Sequence, residues 1–127
     1  MRILGIDYGR NKIGVAVGET ETKLVEPLET MRSQSPILSI KEIATRKKVE
    51  KVVMGVPEGK MEEEIRRFGD NLGEETGLPV EFFDETLTTQ DAQKALIAGG
   101  GRRKARRERE DAIAAAIMLE LYLGRLR

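Results

Sequence analysis

Four acidic residues at three places in this chain have the type and the flanks that metal chemistry needs. Asp7 closes the apolar run of residues 2–7, where a strand would end and a turn begin. Asp84 and Glu85 directly follow Val-Glu-Phe-Phe at 80–83, a second strand end. Asp111 starts a stripe with Ala115, Met118 and Tyr122 at helical spacing, and Ala112, Ala114 and Ala116 would let that helix lie close to a sheet. In mixed α/β sheets, sites are built at strand ends. Two strand-end acids and one inward-facing helix acid make an oxygen-only cage, which suits Mg²⁺ or Mn²⁺. Two such ions about 4 Å apart activate water and stabilise the leaving oxygen of a phosphodiester. Each acid also has a plainer reading. Asp7 can simply organise its turn. Asp84, Glu85 and Asp111 can simply complement helix dipoles.

Basic residues stand beside these acids. Residues 101–110 hold Arg102, Arg103, Lys104, Arg106, Arg107 and Arg109 against two acids, a local charge of +4. A flexible break at Gly99, Gly100 and Gly101 precedes them, so a mobile basic loop that clamps a phosphate backbone is expected. A solvated basic helix start is the alternative, although a helix N-terminus disfavours positive charge. Residues 58–75 carry seven acidic and three basic residues, so charge is segregated along the chain. Few aromatics are available for stacking on bases, which favours recognition of backbone or shape.

The elements that must position these residues are read from periodicity. Residues 2–7 and 12–18 predict a β-hairpin across the turn Tyr8-Gly9-Arg10-Asn11, where Gly9 would let a ligand approach the backbone. Residues 24–31 predict a third strand, at an edge or bulge because of Pro27. A helix capped by Ser35 is expected over 36–48, with Ile37, Ile40, Ile43 and Ala44 on one face. Strands over 50–56 and 80–83 flank a helix over 61–76, which Gly77-Leu78-Pro79 ends. A helix over 88–98, opened by a Thr88–Asp91 capping box, and a last helix over about 107–123 complete the order βββ-α-β-α-β-α-α. That order predicts an α/β fold, a mixed sheet with helices packed on it, and the length of 127 residues predicts one domain over 1–127.

Composition narrows the chemistry further. The chain has no cysteine and no histidine, which removes disulfides, thiolate metal sites, the Ser-His-Asp triad and imidazole acid–base catalysis. No apolar stretch approaches the ~20 residues of a membrane helix, and the N-terminus lacks the pattern of a signal peptide, so a cytoplasmic protein without a membrane partner is expected. Equal numbers of basic and acidic residues, 22 of each, argue against nucleic acid only if charge is spread evenly, which it is not.

At four segments the sequence resembles the YqgF family, also called RuvX, of the RNase H-like superfamily. They are residues 4–19 (LGIDYGRNKIGVAVGE), 52–57 (VVMGVP), 84–92 (DETLTTQDA) and 111–123 (DAIAAAIMLELYL), in the family's order. The resemblance implies an RNase H-like fold with a five-stranded sheet and a nuclease that uses Mg²⁺ or Mn²⁺. It implies Asp7, Glu85 and Asp111 as catalytic metal ligands, Lys12 as a basic contact and Thr88 and Thr89 as a supporting hydroxyl pair. The implied substrate is the 16S rRNA precursor, trimmed at its 5′ end in ribosome biogenesis, or a branched DNA such as a Holliday junction. Ribosomal particles are implied as partners in the first case; monomer and homodimer both stay open. Thr86 stands where the family commonly has Arg, and the segment after Pro57 is shorter than usual. Two other classes compete. One is a non-catalytic RNA-binding module in ribosome assembly or transcription. The other is one lobe of an actin/hexokinase/Hsp70-type ATPase, suggested by the first hairpin but needing a second lobe.

Overall fold

A computed structural model describes residues 1–32, 34–57, 59, 61–84 and 103–125, for 103–110 and 125 the backbone alone. The strands are β1 (Arg2–Tyr8), β2 (Ile13–Glu19), β3 (Val25–Met31), β4 (Lys51–Val56) and β5 (Val80–Asp84). The helices are α1 (Pro36–Arg46), α2 (Glu62–Thr76) and α3 (Arg103–Arg125). One sheet runs in the order β3-β2-β1-β4-β5. The hairpin β1–β2 and the pair β2–β3 are antiparallel, whereas β1–β4 and β4–β5 are parallel. The expected mixed sheet is therefore observed. Its parallel strands β1, β4 and β5 all end on one side, where Asp7 and Asp84 lie.

Strand alternation divides the core into two layers. Leu4, Ile6, Val15, Val52 and Met54 face α1 and α2, joined by Ile40, Ile43, Ile65 and Leu72. Ile3, Ala16, Val53 and Phe83 point the other way, onto Ala115, Met118, Leu119 and Leu123 of α3. Small residues permit this second layer to be tight: Leu119 rests over Gly5 and Gly18.

Several local expectations are met for the reasons given. Pro27 sits in the edge strand β3, and the β2–β3 register slips beside it. Gly77 ends α2 in the left-handed region, with φ 72°. Ser35 precedes α1, but no side-chain capping hydrogen bond forms there; Pro36 in the first turn, which lacks an N–H, starts the helix instead. The last helix starts at Arg103, earlier than the expected position near 107. Arg, Lys, Ala and Glu are good helix formers, and after Gly101 nothing interrupts them. So Arg103, Lys104, Arg106 and Arg107 are helical rather than part of a loop, and Asp111 lies in the third turn rather than at the N-terminus. The helix expected over 88–98, its Thr88–Asp91 box and the triglycine fall outside the described residues.

Candidate active site

Asp7 is the penultimate residue of β1, and its face is fixed by alternation. Ile3 and Ala16 belong to the α3 layer, whereas Leu4 and Ile6 belong to the other. By the same parity Asp7 points to the α3 side. Gly14 of β2 stands directly opposite Asp7, and Thr30 of β3 stands opposite Gly14. Directly opposed residues share a face. Asp7, Gly14 and Thr30 therefore form a row across three strands at the end of the sheet.

Helix α3 crosses that row at Asp111. A Cβ on Gly14 would collide with the Asp111 backbone carbonyl. The next residue is pinned as well: the Ala112 amide donates to Thr30 Oγ1 at 3.1 Å. One glycine and one threonine thus bring Asp111 down beside the strand that faces Asp7. Asp111 also keeps the sheet-facing stripe, since Ala115 and Met118 below it are buried. Both acids remain half-buried. They are reachable by a ligand yet partly withdrawn from bulk water.

The opposite end of α3 is held separately. Tyr122 Oη accepts from Lys51 Nζ at 2.9 Å, and the same ammonium reaches Glu81 Oε1 at 3.2 Å. The Tyr122 ring meets Phe83 edge-on at 5.7 Å. Burial, with the Glu81 carboxylate beside it, raises the Tyr122 phenol above its usual range. The Tyr122 hydroxyl, more than Glu81, raises the Lys51 ammonium. The same hydroxyl is the main cause of the lowered Glu81 carboxyl.

The turn after Asp7 holds the remaining near residues. A Cβ on Gly9 would lie 2.8 Å from the Lys12 carbonyl oxygen, so this glycine is required by the turn itself. Lys12, half-buried, directly precedes β2. Asp84 ends β5 and is exposed. It shares strand parity with Val80 and Phe82, which pack on the α1/α2 layer, and not with Phe83. Glu85, Thr88, Thr89 and Arg102 lie outside the described residues, as do the side chains of Arg103, Lys104, Arg106 and Arg107. Among the described residues no group of three acids is gathered as for a metal ion.

Sequence reasoning singled out Asp7 and Asp111 as candidates but missed the contacts that seat the Asp111 backbone on the sheet. Gly14 and Thr30 were readable only in part. A glycine inside an alternating strand marks a close approach of another backbone. Nothing in the sequence says that the approaching backbone is at Asp111.

A family model described as Holliday junction resolvase, RuvX, matches residues 1–125. The chain belongs to the RuvX family. Among RuvX relatives, a protein of Agathobacter rectalis is 38% identical, covering 99% of this chain and 96% of its own length. One of Lactococcus lactis is 39% identical, covering 96% and 93%. Both carry the name of a candidate pre-16S rRNA nuclease. Among solved structures, Thermus thermophilus RuvC with a Holliday junction aligns with a TM-score of 0.61 at 20% identity, covering 100% of this chain and 98% of that one. The fowlpox virus Holliday junction resolvase aligns with a TM-score of 0.57 at 14% identity, covering 96% of each. At such identities the likeness concerns the fold, and it bears out the RNase H-like expectation for this RuvX chain.

Proposed function

We propose that the chain is a divalent-metal-dependent endonuclease that cleaves phosphodiester bonds of structured nucleic acid, trimming the 5′ end of the 16S rRNA precursor in the cytoplasm. The observation that carries this reading is that α3 crosses the end of the sheet with the Asp111 backbone packed over Gly14, the strand partner of Asp7. Two half-buried acids on the two elements that meet at this crossing suit a shared hard cation. The donor set fits a hard cation: it offers oxygens only, and the chain contains neither imidazole nor thiol.

Asp7, Asp111 and Glu85 would hold Mg²⁺ or Mn²⁺. When bound, such ions supply activation of water and neutralisation of charge at the phosphodiester. Asp7 comes from β1, the central strand of the sheet, and so sets the frame. Asp111 closes the frame from α3. Glu85 follows β5 directly in sequence, and the parity of Asp84 favours Glu85 over Asp84 as the third ligand. Asp84, Thr88 and Thr89 would support that segment. Lys12 and the cluster Arg102, Arg103, Lys104, Arg106 and Arg107 would grip phosphates on either side of the scissile bond. A monomer suffices for trimming rRNA.

The family description favours a second substrate, a four-way DNA junction, whose resolution needs a symmetric dimer presenting two sites. A cleavage panel in Mn²⁺ separates the readings. It offers rRNA precursor, four-way junction and single-stranded RNA, each also with chelator. The expected result is cleavage of the precursor that chelator abolishes. Preference for the junction would move the assignment to DNA. No cleavage of any substrate, with equal RNA affinity in chelator and Mn²⁺, would make the chain a non-catalytic binder.

A further inference from the structure

We propose that Glu64 of α2 is a positioning residue that clamps the turn carrying Gly9 and Lys12 beside Asp7. The inference rests on the nuclease reading above and deepens it. Tyr8 directly follows Asp7, and its ring packs on Phe68 of α2 with centroids 4.8 Å apart and planes tilted by 42°. That ring contact ties Tyr8 to α2. Two residues later, Arg10 Nε donates to Glu64 Oε1 at 3.3 Å. Phe68 on one side of Gly9 and Glu64 on the other therefore tie the turn to α2. The other oxygen, Glu64 Oε2, is closed off from solvent and has no hydrogen-bond partner among the described residues.

A stability role explains this arrangement badly. Arg10 is 69% exposed and Glu64 36%, and exposed pairs of this kind contribute little to stability. A carboxylate near a phosphate-binding turn also opposes substrate electrostatically. Its benefit must lie in geometry. The turn between Tyr8 and Ile13 is short, so fixing Tyr8 and Arg10 fixes the Gly9 peptide and the start of β2 at Lys12. The Asp7 backbone is then held from the α2 side as well as by its neighbours in the sheet. The clamp also occupies Arg10, which leaves phosphate binding at this turn to Lys12.

Glu64→Gln tests the clamp, since it keeps the shape and removes the charge. Glu63→Gln, one residue away on the exposed face of α2, is the control for loss of one negative charge. Three quantities are read: backbone order parameters of residues 9–12, melting temperature, and kcat and KM for Mn²⁺-dependent cleavage. Glu64→Gln is expected to lower the order parameters from rigid values near 0.85 toward 0.6. It is expected to lower kcat about twofold to fivefold, the range an exposed ion pair of this kind supports, with KM and melting temperature nearly unchanged. Glu63→Gln is expected to change none of these. Unchanged order parameters in Glu64→Gln would overturn the proposal, and so would a loosened turn with normal kcat. A wild-type chain that cleaves no substrate would instead overturn the nuclease reading, and the order parameters would still decide whether Glu64 holds the turn.

Discussion

Asp7 depends on its neighbour across the hairpin. Gly14 has no side chain, so the Asp111 carbonyl can occupy the space over the sheet where a Cβ would be. This gives a sharp prediction. Gly14→Ala should destabilise the chain by about 1–3 kcal/mol through overpacking, and should reduce cleavage as α3 is lifted from Asp7. Gly73→Ala is the comparison, because a Cβ there meets Val80 at an ordinary 3.4 Å. In α2 that alanine should be neutral or stabilising by up to about 1 kcal/mol. Urea unfolding of both variants measures the difference; equal stabilities would contradict the close approach. At this scale the acids were legible from their flanks. Gly14 was not, because a glycine in a strand says that something comes near without saying what. Arg10 and Glu64 were hidden for a similar reason: their pairing joins residues more than fifty positions apart.

Among the elements, α3 is the one that must be placed, and it is held at both ends. Thr30 and Gly14 define its position near Asp111, and the Lys51–Tyr122–Glu81 cluster defines it at the far end. The far clasp makes a pH prediction. Tyr122 and Lys51 are both raised in the folded chain. Each binds its proton more tightly folded than unfolded, so its contribution is present below the unfolded pKa, about 10. It is lost as pH rises through the folded pKa. The lowered Glu81 works in the opposite direction: its contribution holds above the usual carboxylate range and is lost as pH falls through its folded pKa. Melting temperature should therefore fall as pH rises above about 10, and Tyr122→Phe should flatten that fall. An identical alkaline slope in the variant would contradict the clasp. The strands and α1 and α2 were legible in the sequence, since period-two and helical patterns both face a real core. The start of α3 was not. Its first turns are charged and carry no apolar stripe, so propensity alone extends it to Arg103.

For the whole molecule, zero net charge conceals an uneven distribution. The basic cluster at 102–109 and the acidic stretch at 58–75 offset one another in the sum, yet α2 carries much of one and α3 much of the other. RNA binding without divalent ions should be weak and salt-dependent. Replacing Arg106 and Arg107 by Ala should reduce the slope of log K against log salt by about 0.7–0.9 for each phosphate no longer neutralised. An unchanged slope would place the phosphate grip elsewhere. Everything proposed for this molecule turns on one residue in the centre of the sheet. The most direct measurement is Mn²⁺-dependent cleavage of rRNA precursor and four-way junction by the wild-type chain and by Asp7→Asn, with melting curves alongside. The expected result is cleavage by the wild type and, in the variant, loss of cleavage with the fold intact. Cleavage by Asp7→Asn at the wild-type rate would contradict a metal-dependent nuclease centred on Asp7.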